Sequence, residues 1–171
     1  MRRVLLVLLV VVLILGGGAT VVLTAQQRVR AALRRAARRY GLDPDVVDAI
    51  GYVESRWTVA ARNLTGADGA RGGAWGPTQI TERTARAAGY VGRIGALAED
   101  VELAAEWTAR IMLTRPGGPP RTVEDASAYW NAGRASAAAL PAGHVTLTTY
   151  IPRARSALAL VRSSPLPPEV A

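Results

Sequence analysis

The chain has 171 residues, which is about the size of one compact domain once its apolar N-terminus is set aside, and its formal net charge is +8. It has no cysteine and a single histidine, His144, which excludes a disulfide scaffold, a cysteine-histidine zinc site and a cysteine nucleophile. Chemistry must come from carboxylates and hydroxyls, and we expect no cofactor and no metal. The basic charge favours anionic partners, namely acidic lipids, wall polymers or nucleic acid, without choosing among them.

The N-terminal segment is long and apolar enough to enter a membrane. After Arg3 it runs from Val4 to Ala25 without a charged residue, which as a helix would cross the ~30 Å hydrocarbon core of a bilayer. The sequence therefore predicts a transmembrane anchor or a signal peptide over residues 1–25. A retained anchor is favoured, because the apolar residues continue beyond Ala19. The alternative is a signal peptide that is cleaved after Ala19.

Residues 26–39 are predicted as a basic amphipathic helix that connects this segment to the domain. A helical wheel places Val29 and Leu33 on one arc and all six arginines on the other. The helix either lies on anionic lipid headgroups or is the first helix of the domain, with its charges solvated. By the positive-inside rule, arginines directly after an apolar span also favour a cytoplasmic location for the domain C-terminal to them.

A clear helix start comes directly after this segment. Asp43 suits the N-cap and Pro44 suits the first helical position. The wheel of this helix puts Glu54 in the middle of its apolar face. A carboxyl group shielded from water resists ionisation, so its pKa should rise to where it can donate a proton at neutral pH and take one back. The alternative is that Glu54 pairs with a buried arginine for structural reasons.

The rest of the pattern predicts a mainly α fold. Further helices are expected over residues 81–88, 99–113, from Thr122 onward and over 150–161. Short strands are expected only between residues 64 and 80. Residues 163–171 form a Pro-rich tail in which we expect no core residues.

Four short sequence blocks occur in order between residues 40 and 160. They read Tyr40-Gly41-Leu42-Asp43-Pro44 with Ala49-Ile50 and Glu54-Ser55, then Trp75-Gly76-Pro77-Thr78-Gln79-Ile80, then Ala126-Ser127-Ala128-Tyr129-Trp130-Asn131-Ala132-Gly133, and last Thr149-Tyr150-Ile151-Pro152-Arg153. Together they closely resemble the transglycosylase domain of soluble lytic transglycosylases, phage virion lysozymes and, more distantly, goose-type lysozymes. The resemblance implies a lysozyme-like helical domain, which we assign to residues 40–162.

The resemblance also implies the catalytic centre. In the family, the glutamate of the Glu-Ser pair is the catalytic acid and base, a role that transfers to Glu54. Ser55 is its neighbour and an implied substrate-binding residue. A tyrosine of the last block lies close to the catalytic glutamate in relatives, which makes Tyr150 the expected hydroxyl partner of Glu54.

Three further residues, Gln79, Trp130 and Asn131, are implied to bind the saccharide. Gln79 ends the glycine-rich block and is the expected sugar contact, since its amide offers both a donor and an acceptor. Gly76 would let the backbone approach the sugar. The block with Trp130 and Asn131 lines the cleft in relatives; Trp130 occupies a position where the family has tyrosine, and its ring could stack on a pyranose.

The chain departs from the family pattern in two places. The segment between Glu54 and Gln79 is longer than the family's common form, and its extended loop, with Asp68 and residues 69–75, is expected to reshape one wall of the cleft. Thr146 stands where a glutamate usually precedes the last block, which removes a supporting carboxylate and leaves the catalytic one.

These features predict a peptidoglycan lytic transglycosylase that cleaves the β-1,4 bond between N-acetylmuramic acid and N-acetylglucosamine. Most glycosidases use two carboxylates, but the recognised blocks hold one catalytic acid, which suffices if the substrate's N-acetyl group assists. Relatives are understood to release a 1,6-anhydro product in this way. Hydrolysis is the first alternative, in which Asp68, Glu82 or Asp125 would position a water molecule.

A non-catalytic role is the second alternative, in which the domain is a wall-binding module of a secretion, conjugation or phage apparatus. We expect glycan strands as the partner, a membrane contact through the N-terminal helix, and a monomer. Nucleic acid is disfavoured, because the arginine-rich helix lacks interleaved aromatic residues and a recognition motif. The expected location is membrane-anchored facing the cell wall, or secreted after signal cleavage.

Overall fold

Helices form most of the structure, a computed structural model that describes residues 23–64 and 73–167. The α-helices are α1 (Ala25–Arg39), α2 (Pro44–Ser55), α3 (Glu82–Ala87), α4 (Val101–Leu113), α5 (Val123–Ala132) and α6 (Ile151–Ser163). The strands are β1 (Arg62–Asn63), β2 (Ala74–Trp75) and β3 (Ile80–Thr81). Short 3-10 helices lie at Ile94–Ala98 and Ala137–Ala139, and a π-helical turn at Thr146–Tyr150 leads directly into α6. The prediction of a mainly α fold is confirmed.

Capping residues begin the helices as expected from the sequence. The Asp43 side chain accepts hydrogen bonds from backbone N–H groups of the first turn of α2, and Pro44 is its first residue. Thr122 caps α5 in the same way. Helix α4 begins after the capping residue Asp100 rather than at the predicted residue 99.

The strands form a small antiparallel sheet in the order β1-β2-β3. Arg62 pairs with Trp75, and Trp75 in turn pairs with Ile80. Strand β2 lies in the region where short strands were predicted and β3 at its edge. The expectation of strands only between residues 64 and 80 is wrong for β1, which precedes this region and pairs with β2. The expected extended loop with Asp68 falls largely on residues 65–72, which lie outside the described residues.

Helix α2 lies at the centre of the larger hydrophobic cluster. It contacts α1, α5 and α6, and Ile50 on its inner face is fully buried. Gly51 lies where α1 approaches α2, and a Cβ at this position would be 2.5 Å from Leu33 Cδ1. A second cluster, which includes Ile80 and Leu97, lies beneath the sheet. Because α2 is enclosed in this way, side chains on its inner face are shielded from water.

Helix α1 is part of the same core. Val29 and Leu33 are fully buried, and the packing of α1 against α2 and α4 corresponds to the interpretation as a first domain helix. The prediction that all six arginines lie opposite the apolar face is wrong for Arg30. Its Nε donates a hydrogen bond to Asp48 Oδ2 at 3.1 Å, and its Nη1 donates to Ser164 O at 2.8 Å. A basic residue thus joins three segments inside the fold.

The two ends of the chain bear on the predicted domain boundaries. The predicted anchor or signal over residues 1–25 lies outside the described residues except for its last part. Within residues 23–64 and 73–167, no helix has the length and apolar character needed to cross a membrane. The expectation that residues 163–171 contribute nothing to the core is wrong at Leu166, which is buried.

Replacing Asp48 by asparagine should strongly destabilise the fold. The carboxylate of Asp48 is fully buried against Arg30, so its loss leaves an uncompensated buried guanidinium. We expect the free energy of unfolding of the full chain, measured by urea denaturation in mild detergent, to fall by about 3–5 kcal/mol.

Glu102→Gln is the matched control for this variant. It breaks an exposed ion pair with Arg35, whose N–O distance is 2.5 Å, and should cost less than about 1 kcal/mol. Equal decreases in the free energy of unfolding in the two variants would show that the buried ion pair stabilises the fold no more than the exposed one.

Candidate active site

Glu54 is held in the last turn of α2 by a tyrosine from the other end of the domain. Its side chain is partly buried, and its Oε1 accepts a hydrogen bond from the Tyr150 hydroxyl at 2.5 Å. Tyr150 is buried at the junction of the π-helical turn and α6. The helix packing of α2 against α6 therefore brings together the two residues that the sequence paired.

Burial controls the protonation of this pair. It raises the pKa of Glu54 from 4.5 to about 7, although the Tyr150 hydrogen bond and the charge of Arg153 each lower it. Burial and the neighbouring carboxylate also raise the pKa of Tyr150 well above 10, so the phenol remains a hydrogen-bond donor. Among the described residues, Glu54 forms no ion pair, and Arg153 instead donates to Val53 O at 3.4 Å. The described residues thus hold Glu54 by a hydrogen bond and not by the structural salt bridge that was the alternative.

Ser55 fastens the end of α2 to the glycine-rich loop. Its hydroxyl donates to Pro77 O at 2.8 Å and accepts from the backbone N–H of Thr58 at 2.9 Å. These bonds occupy the hydroxyl within the protein. They fix the position of Glu54 relative to the loop, whereas the implied sugar contact of Ser55 stays a prediction.

The backbone around the acid adopts conformations that non-glycine residues rarely take. Arg56 and Trp57, directly after the Glu-Ser pair, have φ of 53° and 59°, and Gln79 has φ of 54°. Such residues persist where the surrounding structure holds them, and they cluster at functional sites. Gly76 has φ of 75°, and a Cβ there would be 2.1 Å from Leu97 O. The close neighbour of Gly76 is therefore this carbonyl, and its expected role in letting the backbone approach a sugar stays a prediction.

Gln79 and Trp130 are fixed by the same loop. The Gln79 side-chain amide donates to Gly76 O at 2.9 Å, which uses one of its two N–H groups. The Trp130 indole N–H donates to Thr78 O at 2.9 Å, so α5 is tied to the loop from the other side. Both residues are held against a common backbone segment.

Asn131 connects α5 to the segment that carries Tyr150. Its Oδ1 accepts a hydrogen bond from the buried hydroxyl of Thr146 at 2.7 Å. Thr146 begins the π-helical turn that ends at Tyr150. The threonine that replaces the family's glutamate thus supports this segment through a hydroxyl rather than a carboxylate.

The glycine-rich loop and α5 border a cleft of about 690 Å³, within the ~300–1,000 Å³ typical of ligand sites. Gln79, Trp130 and Asn131 line it, whereas Glu54, Ser55 and Tyr150 lie outside its lining. The bonds from Ser55 to Pro77 O and from Trp130 to Thr78 O join the two groups.

The sequence missed several lining residues, including Asn63, Thr81, Arg83, Thr84, Thr114 and Tyr129. Only Tyr129 stood in a recognised block, and no pattern distinguished the others from surface residues.

The family model of the transglycosylase SLT domain matches residues 31–139. The chain belongs to the transglycosylase SLT family. The resemblance inferred from the sequence blocks is thereby confirmed, and at family level it supports a lytic transglycosylase-like function on peptidoglycan. The matched residues include Glu54, Gln79 and Asn131, while Tyr150 lies C-terminal to them. Comparison with curated proteins and with solved structures gave no match.

Within this SLT domain, Tyr150→Phe should raise the pKa of Glu54 further. The Tyr150 hydrogen bond favours the ionised carboxylate, so its removal should shift the pKa above about 7 by roughly 1 unit. Carbon NMR of the glutamate carboxyl groups measures this value. Tyr129→Phe is the matched control, because the Tyr129 hydroxyl pairs with Thr114 instead. An unchanged or lower pKa in Tyr150→Phe would contradict the assigned geometry.

Replacing Glu54 by glutamine should stabilise the fold at high pH. The native carboxyl keeps its proton up to about pH 7, whereas the unfolded chain releases it near 4.5, so wild type loses stability as pH rises between these values. Glutamine has no proton to release, so the variant does not lose this stability. Above about pH 7 its free energy of unfolding should exceed that of wild type by about 3 kcal/mol. Below pH 4.5 the free energies of unfolding of variant and wild type should be equal. Urea denaturation across this range tests the difference, which must depend on pH.

Proposed function

We propose that the chain is a peptidoglycan lytic transglycosylase that cleaves the β-1,4 bond between N-acetylmuramic acid and N-acetylglucosamine. Glu54 is its single acid and base. The observation that carries this proposal is a shielded carboxyl group with a pKa of about 7, hydrogen-bonded to Tyr150. The end of its helix is bonded through Ser55 to the loop that carries the cleft residue Gln79. Such a pKa lets one group donate and accept a proton near neutral pH.

The reaction uses Glu54 twice. In the first step, the protonated carboxyl donates its proton to the glycosidic oxygen, the bond from muramoyl C1 breaks, and the N-acetyl carbonyl oxygen of the same sugar bonds to C1. In the second step, the Glu54 carboxylate takes the proton of the muramoyl 6-hydroxyl, whose oxygen displaces the acetamido oxygen at C1. The product is a 1,6-anhydro sugar, and Glu54 ends in its starting state.

Tyr150 orients the acid in this scheme. Its hydroxyl occupies Oε1 of Glu54, which leaves Oε2 to face the glycosidic oxygen and then the 6-hydroxyl. It also stabilises the carboxylate formed after the first proton transfer, because a hydrogen bond to the charged form favours that form. Gln79 and Trp130 would hold the sugar through an amide and an aromatic face.

The positions of the other acids favour transglycosylation over hydrolysis. Glu82 pairs with Arg86 on α3, and Asp125 accepts a hydrogen bond from the backbone N–H of Ala137 at 3.2 Å. Both carboxylates are thus engaged by other groups of the protein, whereas Glu54 forms no ion pair among the described residues. Asp68, the remaining candidate, lies outside the described residues.

The proposal extends to location and partners. The enzyme acts on glycan strands outside the membrane, as a monomer, either anchored by residues 1–25 or secreted after their cleavage. The apolar, uncharged run from Val4 to Ala25 supports membrane entry. A non-catalytic wall-binding module remains the second candidate, since the cleft alone would serve it.

Digestion of purified sacculi by the full chain in mild detergent separates these candidates. We expect soluble muropeptides whose masses correspond to 1,6-anhydromuramic acid ends, and no release by Glu54→Gln. Reducing muramic acid ends without the anhydro form would identify a hydrolase. Binding to sacculi with no release by either protein would identify a wall-binding module. Undiminished release by Glu54→Gln would remove this residue from the mechanism.

A further inference from the structure

Arg83 is the one charged residue among the described residues that line the cleft. It lies on α3, is exposed, and follows Gln79 closely along the chain, with β3 between them. No carboxylate of the described residues lies within ion-pair distance of it. Arg86 on the same helix differs, because it pairs with Glu82 at 3.1 Å. Among the described residues, Arg83 thus places one positive charge in the cleft wall without an ion-pair partner.

The neighbours of Arg83 do not neutralise this charge. Thr81 and Thr84 hydrogen-bond to each other at 2.8 Å, and Thr114 and Tyr129 do so at 2.8 Å elsewhere in the lining. Hydroxyls are neutral, so the guanidinium is the one charge that the described lining residues contribute to the potential of the cleft. A guanidinium is always protonated and presents a planar set of donors that matches a carboxylate. An anionic group of the ligand is the chemical partner that this wall would favour.

The proposed substrate carries such groups outside its sugar rings. N-acetylglucosamine is neutral, whereas each muramoyl residue bears a stem peptide with free carboxylates. We propose that Arg83 binds a stem-peptide carboxylate and so makes the cleft selective for peptide-bearing glycan strands. This inference rests on the proposed function. It makes Arg83 a specificity residue that acts on binding and not on the proton transfers of Glu54.

A second carboxylate of the strand has the same chemistry. Removal of the stem peptide by an amidase leaves the lactyl carboxylate of muramic acid free, and Arg83 could bind that group instead. The two sources are separated with three substrates: peptide-bearing strands, amidase-treated strands, and peptide-bearing strands whose carboxylates have been converted to neutral amides.

The experiment measures kcat and KM of the full chain in mild detergent for wild type, Arg83→Met and Arg83→Lys on each substrate. On peptide-bearing strands, Arg83→Met should raise KM roughly three- to tenfold with little change in kcat, as expected for a partly exposed ion pair. Arg83→Lys should recover part of the loss, because it keeps the charge but not the planar donors. On amidated and on amidase-treated strands the two variants should match wild type.

Arg38→Met is the matched control. Arg38 is an exposed arginine of α1 outside the cleft lining, so this variant removes the same net charge and should leave KM unchanged. Equal effects of the two methionine variants, or an effect of Arg83→Met on amidated strands, would overturn the proposal. An undiminished effect on amidase-treated strands would assign Arg83 to the lactyl carboxylate and overturn the stem-peptide assignment.

The same substitutions in a Glu54→Gln background test binding without turnover. The dissociation constant for peptide-bearing strands should rise by the same factor with Arg83→Met. If wild type cleaves none of the substrates, the proposed function fails, while this binding comparison still decides the role of Arg83.

Discussion

The shielding of one carboxyl group by the packing of α2 is the constraint on which the site depends. Ile50 is fully buried and Gly51 admits the close approach of Leu33, so α2 packs tightly against its neighbours and Glu54, on the same helix, is partly withdrawn from water. Withdrawal raises its pKa, and Tyr150 then fixes its orientation. The same packing requires Asp48 to be matched inside the fold, which Arg30 does. Core stability and acid chemistry therefore have a common origin in this helix.

The glycine-rich loop organises the remainder of the site through its backbone. Consecutive carbonyls of residues 76–78 accept hydrogen bonds from side chains that come from three different places in the chain: Gln79, Ser55 and Trp130. Each side chain thereby has a hydrogen bond to the backbone of the loop, and Ser55 has a further one to Thr58. Shifting the loop would move the acid-bearing helix end and the cleft wall together, which explains why strained φ values are retained there.

How much could be predicted from sequence varies with the range of the interaction. The start of α2 and the inward direction of Glu54 follow from local capping and periodicity, and both were predicted. The contact of Glu54 with Tyr150 was implied only by family resemblance, since it joins distant parts of the chain. The burial of Arg30 was missed, because a helical wheel assigns charge to solvent and cannot foresee a buried partner on another helix. The close approach of Gly76 to a carbonyl from a later segment was missed for the same reason.

The bond between Arg30 and the carbonyl of Ser164 brings the beginning and the end of the folded unit together. Segments that meet near the two ends of a folded unit can be joined by a short linker, and the unit can then be opened at an exposed turn without changing the packing. The turn at Gly117 and Gly118, between α4 and α5, is such a place. The topology of this domain is thus compatible with circular permutation. The new termini would lie between two helices that the core would still hold in place.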